Sequence, residues 1–340
     1  MREPLSIDSF PWLVADIGGT NARFGLVQEP GGPVAHVETL KGSDHPTPQA
    51  AALAYLDTVT ARTGERPRPR QAALALACAI QGDTARMTNS AWVVSRETLI
   101  RTLGVEQVLL LNDFEALALA LPQLSAADVT LFGGPARPDA AAPMAVVGPG
   151  TGLGVSTCVP VGQGRWVALA AEGGHVTVAA ADEVEAEVLR LLRREFAHVS
   201  AERVLSGLGL PLLHRALCTV RGTPPETLSP EQISHRALVE REAAALATLD
   251  VFCSMLGTFA GNVALTVGAR GGVFIAGGIA QKIADHLVGS RFRERFEAKG
   301  RFESYQAGIA TGLVTAPHVA LTGAAQGIAH ALRQSDPGGG

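Results

Sequence analysis

The chain has 340 residues, of which 47% are hydrophobic and 18% are charged, and its formal net charge is −4. This length suits two domains, each with its own core, and the share of apolar residues excludes an intrinsically disordered chain. The slightly acidic balance excludes the basic surface that nucleic-acid-binding proteins need.

Cysteine usage and the N-terminal sequence both favour a cytoplasmic protein. The first twelve residues, MREPLSIDSFPW, lack the features of a signal peptide. The longest apolar runs, such as residues 72–80, are shorter than the ~20 residues that cross a bilayer, so we expect no membrane contact. Without a Cys-x-x-Cys pair, the cysteines indicate free thiols in a reducing compartment rather than zinc ligands or disulfides. They are Cys78, Cys158, Cys218 and Cys253.

In the first half of the chain, apolar runs at residues 12–17 and 22–27 flank the turn Gly18-Gly19-Thr20-Asn21 and predict a β-hairpin. Residues 64–70 are rich in Pro and Arg and indicate a loop. Hydrophobic patterning predicts the other elements of this half. They are strands at 34–40, 72–80, 88–94 and 107–111, and helices at 47–63, 95–103 and 114–121.

The second half opens with a loop prediction for residues 125–143, which are rich in Ala, Gly and Pro and are a candidate crossing between domains. A second hairpin is predicted from 145–148 and 153–159, around the turn that contains Thr151. Because Thr20 and Thr151 are 131 residues apart, this repeat of strand, Gly-rich turn and strand indicates a duplicated domain. The other predicted elements are helices at 182–198, 240–267, 279–288 and 322–332, and a strand at 272–276.

The first hairpin turn, DIGGTNAR at residues 16–23, has the composition of a phosphate-binding loop. Glycines let the backbone approach an anion closely, and consecutive N–H groups can form a concave donor site. The Thr20 hydroxyl adds a donor, and the Asp16 carboxylate could hold Mg²⁺ through water. An ordinary glycine-rich turn is the alternative, and this motif alone does not decide between them.

The second turn, GPGTGLG at residues 148–154, has the same chemistry. No Gly-Lys-Ser/Thr follows, so it is not a Walker A loop. It leads into a strand-like sequence rather than a helix, which argues against a dinucleotide fingerprint. Two such hairpins at half-chain spacing are more specific than either one, and they predict that each domain contacts the phosphates of a nucleotide.

Asn112 and Asp113 follow the predicted buried strand at 107–111. A carboxylate at the C-terminal end of a strand can accept the proton of an attacking hydroxyl. The alternative is that Asp113 caps the helix predicted at 114–121, and position alone favours this cap.

Three further polar residues suit a sugar, whose hydroxyls both donate and accept hydrogen bonds. Glu172 and His175 flank a Gly-Gly turn, and Glu202 begins the stretch ERVLSG, which we interpret as helical. The alternatives are an ordinary turn histidine and a solvated charge in the first turn of a helix. Gly277 and Gly278 leave room for a base or ribose, although a plain strand-to-helix turn explains them equally well.

Taken together and in order, these segments resemble the bacterial glucokinase family of the actin/hexokinase/sugar-kinase ATPase superfamily, from about residue 13 to residue 332. The most specific are DIGGTNARFGLV, MTNSAW, LNDFEALALALP, GPGTGLGV, EGGHV, HVSAERVLSGLGL and GGVFIAGGIA. The resemblance implies transfer of the γ-phosphoryl group of ATP to the 6-hydroxyl of glucose, with Mg²⁺, by a homodimer. It also implies an α/β fold of two RNase H-like lobes with an ATP and sugar cleft between them. We expect residues 1–122 plus 319–340 in the small lobe and 123–318 in the large lobe.

The resemblance also assigns roles to individual residues. Asp113 would be the catalytic base, and Asp16 the metal contact. Sugar contacts would be Asn112, Asp113, Glu172, His175 and Glu202. Contacts to the nucleotide would be Ala15, Asp16, Ile17, Gly18, Gly19, Thr20, Gly148, Gly150, Thr151, Gly152, Gly277 and Gly278. The chain departs from the family pattern at Ala79, where Pro is frequent, and at Pro149, where Ala is frequent and where Pro removes a donor N–H.

Three alternatives remain at this point. A ROK-type kinase for another sugar or donor usually carries a Cys-rich zinc motif, which this sequence lacks. A non-catalytic sugar-sensing regulator usually carries an N-terminal DNA-binding domain, whereas only residues 1–11 precede the first predicted strand. An actin- or chaperone-type ATPase gives the EGGH and AERVLSG segments no role.

Overall fold

The structure, a computed structural model, describes residues 9–87 and 90–335, with side chains through residue 333. It is a mixed α/β protein of two compact units. Unit 1 consists of the chain up to Gln123, Val161–Ala170 and the chain from Pro317. Unit 2 consists of Leu124–Pro160 and Ala171–Ala316.

The helices and strands alternate irregularly along the chain. The strands are β1 (Trp12–Ile17), β2 (Asn21–Val27), β3 (Ala35–Lys41), β4 (Gln71–Leu76), β5 (Ile80–Gln81), β6 (Thr84–Arg86), β7 (Val93–Ser95), β8 (Gln107–Asn112), β9 (Val129–Gly133), β10 (Met144–Pro149), β11 (Leu153–Pro160), β12 (Trp166–Ala171), β13 (Val273–Ile275) and β14 (Thr311–Val314). The helices are α1 (Pro48–Thr63), α2 (Arg96–Leu103), α3 (Asp113–Ala120), α4 (Glu183–Leu192), α5 (Leu210–Val220), α6 (Pro230–Leu238), α7 (Ala243–Val267), α8 (Gly278–Lys282), α9 (Ala284–Gly289), α10 (Phe292–Glu297), α11 (Glu303–Ala307) and α12 (Val319–Ser335).

Unit 1 is built on a five-stranded sheet with the order β3-β2-β1-β4-β8. β1 pairs antiparallel with β2 and parallel with β4, which in turn pairs parallel with β8. β4 is buried along its whole length, as expected for a central strand covered on both faces. This arrangement brings the C-terminal ends of β1 and β8, and with them Asp16 and Asn112, to the same edge of the sheet.

Helix α12 returns from the C-terminal part of the chain to cover one face of this sheet. Its apolar residues, including Leu321 and Ile328, form a core layer with Trp12, Val14 and Ala73. Gly323 of α12 packs so closely on α3 that a Cβ at this position would overlap the backbone carbonyl of Ala116. The packing of α12 therefore helps to fix the helix that begins at Asp113.

Unit 2 repeats the strand pairing of unit 1. Five neighbouring strands of its sheet have the order β11-β10-β13-β14-β9. β10 pairs antiparallel with β11 and parallel with β13, and β13 pairs parallel with β14, just as β1 pairs with β2 and β4, and β4 with β8. The duplication predicted from the two Thr-containing turns is confirmed at the level of strand pairing.

Helix α7 is the central helix of unit 2. It is long and apolar enough to cross a membrane, yet 67% of its most apolar stretch is buried inside the protein. Phe252, Leu256 and Ala260 lie in the core of unit 2. The expectation that every apolar run is too short to span a bilayer was wrong for this helix, whose apolar composition is explained by its burial.

Several predicted boundaries need correction. The segment 125–143, predicted to be a loop, contains β9, which forms the edge of the unit 2 sheet. The helix predicted at 279–288 is divided into α8 and α9 at Ile283. Of the strand predicted at 88–94, Thr88 and Asn89 lie outside the described residues, and only Val93 and Val94 belong to β7. The signal-peptide prediction likewise rests mostly on residues 1–8, which are not described.

All four cysteines are free and buried. Burial raises the pKa of Cys158 and that of Cys253 to about 12. The thiols therefore act as small apolar core groups.

Candidate active site

The first glycine-rich turn lies between β1 and β2. The amide of Gly18 donates to the carbonyl of Asn21 at 2.9 Å, so this N–H closes the turn, while Thr20 is exposed. Asp16 pairs in register with Arg23 across the hairpin, and Arg23 Nη1 lies 3.1 Å from Asp16 Oδ2. Burial raises the pKa of the Asp16 carboxyl, and the Arg23 guanidinium opposes this by favouring the ionised form.

Asn112 and Asp113 lie where β8 ends and α3 begins. Asn112, not Asp113, is the N-cap residue of α3, so the alternative role of Asp113 as the cap is wrong. The carboxamide oxygen of Asn112 accepts from the amides of Phe114 and Glu115, at 2.9 and 3.4 Å. Asp113 is the first helical residue, and its Oδ1 accepts from Phe114 N–H at 3.0 Å. A carboxylate at a helix N-terminus is stabilised there by the helix dipole.

The loop after β4 borders this pair. Asn112 Nδ2 donates to the carbonyl oxygen of Cys78 at 3.4 Å. The pKa of the Cys78 thiol is raised by burial and, secondarily, by the charge of Asp113. The loop that carries the Ala79 departure therefore contacts the proposed base region directly.

The second glycine-rich turn lies between β10 and β11 in unit 2. Gly150 N–H donates to Gly152 O at 2.9 Å, and Thr151 is exposed, as Thr20 is in the first turn. Gly277, the N-cap residue of α8, has φ +90°, and a Cβ there would lie 2.5 Å from the carbonyl oxygen of Pro149. Glycine is required at this position both for its backbone conformation and for the close approach of the turn.

Glu172, His175 and Glu202 lie together in unit 2. His175 Nε2 is 3.9 Å from Glu172 Oε2 and 3.9 Å from Glu202 Oε1. The side chains of Glu172 and His175 are largely exposed, and that of Glu202 is 33% exposed. Glu202 does not begin a helix, as the sequence suggested, but lies in a series of turns between Ser200 and Gly209. The three side chains present acceptors and one imidazole to solvent, which suits a polyhydroxylated ligand.

A cavity of 420 Å³ opens beside the second turn, within the size range of small-molecule sites. Gly150, Thr151 and Gly278, three of the predicted nucleotide contacts, line it. Leu208 lies on its wall and is 73% exposed, the highest value for a large hydrophobic side chain among the described residues. The other lining residues are Gly207, Leu210, Pro230, Glu231, Ser234, Ile279 and Lys282.

Comparison with known proteins decides the family. A family model described as Glucokinase matches residues 13–331. The chain belongs to the glucokinase family. A glucokinase from Chromobacterium violaceum is 47% identical over 332 residues, which cover 97% of this chain and 93% of that protein. A glucokinase from Aromatoleum aromaticum is 46% identical over 325 residues, which cover 96% of each.

Structural comparison agrees with membership in the glucokinase family. The crystal structure of a glucokinase from an Antarctic psychrotroph matches with a TM-score of 0.85 and 36% identity, covering 94% of this chain and 98% of that one. The resemblance inferred from the motifs is confirmed.

Some residues at these sites carry no role in the sequence-based prediction. Glu115 completes the cap of α3 with Asn112, and the pattern Asn-x-x-Glu before an apolar run was a usable signal. Arg23 is the hairpin partner of Asp16. The four-residue turn of the predicted hairpin sets the strand register and so could have identified this partner. The cavity residues on α6, such as Pro230 and Ser234, had no local signal, because only the packing of α6 brings them to the second turn.

Proposed function

We propose that this protein is an ATP-dependent glucokinase that transfers the γ-phosphoryl group of ATP to the 6-hydroxyl of glucose. Membership of the glucokinase family over residues 13–331 is the observation that carries this proposal. In the proposal the chain forms two RNase H-like lobes of the actin-like type, and the substrates lie in the cleft between them. The small lobe comprises residues 1–122 plus 319–340 and the large lobe residues 123–318.

Asp113 is the proposed general base. Its carboxylate accepts the proton of the 6-hydroxyl as the new O–P bond forms and the bond from the γ-phosphorus to the bridging oxygen breaks, which gives glucose 6-phosphate and ADP. In such transfers the base chiefly orients the hydroxyl, and electrostatic stabilisation supplies most of the rate. The cap formed by Asn112 and the neighbouring Cys78 carbonyl support this role, because they fix the start of α3.

Glucose is the proposed sugar. Asn112 and Asp113 bind it from unit 1, and Glu172, His175 and Glu202 bind it from unit 2. The spacing of 3.9 Å from His175 Nε2 to each glutamate supports this, since it leaves donors and acceptors available to hydroxyls.

ATP is the proposed donor. Its phosphates contact the first turn, Ala15 to Thr20, and the second turn, through Gly148, Gly150, Thr151 and Gly152. Its adenosine lies against Gly277 and Gly278. The 420 Å³ cavity supports this assignment, because Gly150 and Gly278 have open space where a side chain would stand.

Mg²⁺ would accompany the nucleotide and neutralise phosphate charge. Among the described residues no group of three His, Cys, Asp or Glu side chains could hold a metal ion. The ion would therefore be held mainly by phosphate oxygens. Asp16, already paired with Arg23, fits an outer contact through water.

A coupled assay of ADP formation with glucose, fructose, mannose and N-acetylglucosamine tests the proposal. We expect glucose to be preferred, with kcat/KM at least about ten-fold above the other sugars, and ATP to be preferred over ADP and polyphosphate. Preference for another sugar would point to a ROK-type specificity, and sugar binding without turnover to a sensing regulator. We also propose that the protein is cytoplasmic and that it forms a homodimer. Light scattering of the purified protein tests the oligomeric state.

A further inference from the structure

The carboxylate of Glu202 lies between two parts of unit 2 that have separate proposed roles. Oε1 faces His175 Nε2 at 3.9 Å, on the side proposed for the sugar. Oε2 accepts a hydrogen bond from the amide of Leu153 at 2.9 Å, directly after the second glycine-rich turn. The two oxygens of one planar carboxylate therefore face His175, a proposed sugar contact, and the end of the second glycine-rich turn, a proposed phosphate contact.

Gly152 shows how closely the turn lies on this carboxylate. A Cβ at Gly152 would overlap Glu202 Oε2, whereas a Cβ at Gly150, in the same turn, would have no neighbour within 4 Å. Neither glycine has a positive φ that only glycine would favour. The absence of a side chain at Gly152 is therefore explained by Glu202, and not by backbone conformation.

The main chain around Glu202 makes the same two connections. Glu202 N–H donates to Gly174 O, in the turn before His175, at 2.8 Å, and Gly207 N–H donates to Gly150 O at 2.8 Å. Gly207 also lines the 420 Å³ cavity. The segment from Glu202 to Gly207 thus links the turn that carries His175 to the turn that borders the cavity.

We propose that Glu202 is a positioning residue for the second phosphate turn as well as a sugar contact, so that glucose and nucleotide each strengthen the binding of the other through this carboxylate. The proposal rests on the function proposed above. A sugar hydroxyl that donates to Oε1 fixes the plane of the carboxylate and so holds Oε2 against Leu153 N–H. The nucleotide then binds a turn that is already ordered, and the linkage is reciprocal.

Calorimetric titration of glucose into nucleotide-free protein tests the link from the phosphate side. Gly152→Ala displaces the Glu202 carboxylate, and we expect glucose affinity to fall at least about five-fold, the lower end of typical coupling factors. Gly150→Ala is the matched control within the same turn. It should weaken nucleotide binding but leave glucose affinity in the absence of nucleotide at the wild-type value. Equal glucose affinity of the two variants would overturn the proposal.

Titration of the non-hydrolysable analogue AMPPNP with and without saturating glucose measures the coupling itself. We expect glucose to raise AMPPNP affinity at least about five-fold in the wild type and by clearly less in Glu202→Gln. A glutamine that keeps its oxygen on Leu153 N–H turns its NH₂ group toward the sugar, where it can only donate to a hydroxyl, so the charge-assisted hydrogen bond from that hydroxyl to the carboxylate is lost. Full coupling in Glu202→Gln would overturn the proposal.

Two further measurements separate the possible failures. In a Glu202→Ala background, Gly152→Ala should cause no additional loss of glucose affinity, because the group it displaces is absent; an additive loss contradicts the proposal. If circular dichroism shows that Gly152→Ala is unfolded, the Glu202→Gln variant decides whether the proposal stands, because its side chain has the same size as that of the wild type. Wild-type turnover of glucose without coupling overturns this inference alone, whereas a wild type that neither binds nor phosphorylates glucose overturns the proposed function with it.

Discussion

Asn112 and Glu115 are joined by reciprocal hydrogen bonds at the start of α3. Asn112 N–H donates to Glu115 Oε2 at 3.2 Å, and Glu115 N–H donates to Asn112 Oδ1 at 3.4 Å. Burial raises the pKa of Glu115, and the bond from Asn112 opposes this shift. This capping box encloses Asp113, whose backbone is thereby fixed between two anchored residues.

The capping box makes Glu115 a positioning residue for Asp113. Glu115→Ala should lower the free energy of unfolding by about 0.5–2 kcal/mol, the usual value of a lost cap interaction, and should also lower kcat. Glu115→Gln should retain both, because the amide oxygen still accepts from Asn112 N–H. Denaturant unfolding and the coupled assay measure the two effects. A Glu115→Ala enzyme that loses stability but keeps its kcat would reduce Glu115 to a structural role.

Asp113→Asn removes the proposed base while keeping the size of the side chain. We expect kcat to fall by about 10²–10⁴-fold, the usual contribution of a general base, with an unchanged circular dichroism spectrum and with glucose still bound. Glu97→Gln, in the first turn of α2, is the control for losing a negative charge at a helix N-terminus. It should retain wild-type kcat. An Asp113→Asn enzyme with most of its wild-type rate would refute the assignment.

Leu208 should contribute to nucleotide binding, because it is exposed on the wall of the 420 Å³ cavity. Leu208→Ala is expected to raise the KM for ATP about ten-fold, equivalent to about 1.4 kcal/mol. The KM for glucose should change much less than the KM for ATP. Val239 is 66% exposed and does not line this cavity, so Val239→Ala is the matched control. Equal KM values for ATP in the two variants would mean that the cavity does not receive the donor.

The buried His214 predicts how stability depends on pH. Thr248 Oγ1 donates to Ala244 O at 2.9 Å, so it accepts from His214 Nδ1, also at 2.9 Å. Nδ1 of His214 therefore carries a proton, and Nε2 faces Cys218 Sγ at 3.7 Å. Burial lowers the pKa of His214, and burial together with the charges of Arg333 and Arg165 lowers that of His330.

The direction in which the free energy of unfolding changes with pH follows from proton binding. Below the unfolded histidine pKa of about 6.5, the unfolded chain binds more protons than the folded protein, so the free energy of unfolding falls as pH decreases. His214→Gln should make this decline shallower between about pH 6.5 and 5, and adding His330→Gln should flatten it further. Urea unfolding at several pH values is the measurement. If the free energy of unfolding falls equally steeply with decreasing pH in wild type and variants, these imidazoles do not control the loss of stability at acid pH.

Local chemistry made much of this protein predictable from its sequence. Both glycine-rich hairpins and the helix predicted at 95–103 depend on neighbouring residues, and all three are present in the structure, the helix as α2. The strand at 129–133 was missed because its short, partly exposed sequence becomes a strand only by pairing with β14.

The sites were harder to predict from the sequence than the fold. Glu202 was identified as a polar residue for a sugar, but its bond to Leu153 joins residues 49 positions apart and has no local signature. The same holds for the cavity, to which α6 and α8 contribute from distant parts of the sequence. Sequence patterns identify the residue types, whereas their mutual contacts depend on packing between elements that are far apart in the chain.

The close approach of Gly323 to Ala116 has a consequence for synthesis of the protein in the cell. Helix α12 is translated after the whole of unit 2, so during that time the nascent unit 1 lacks the helix that covers one face of its sheet. Trp12, Val14 and Ala73 stay without their contacts to α12 until residues 319–335 emerge from the ribosome. A chain whose translation stops before residue 319 lacks α12, so one face of its unit 1 sheet stays uncovered and the packing of α12 on α3 cannot form.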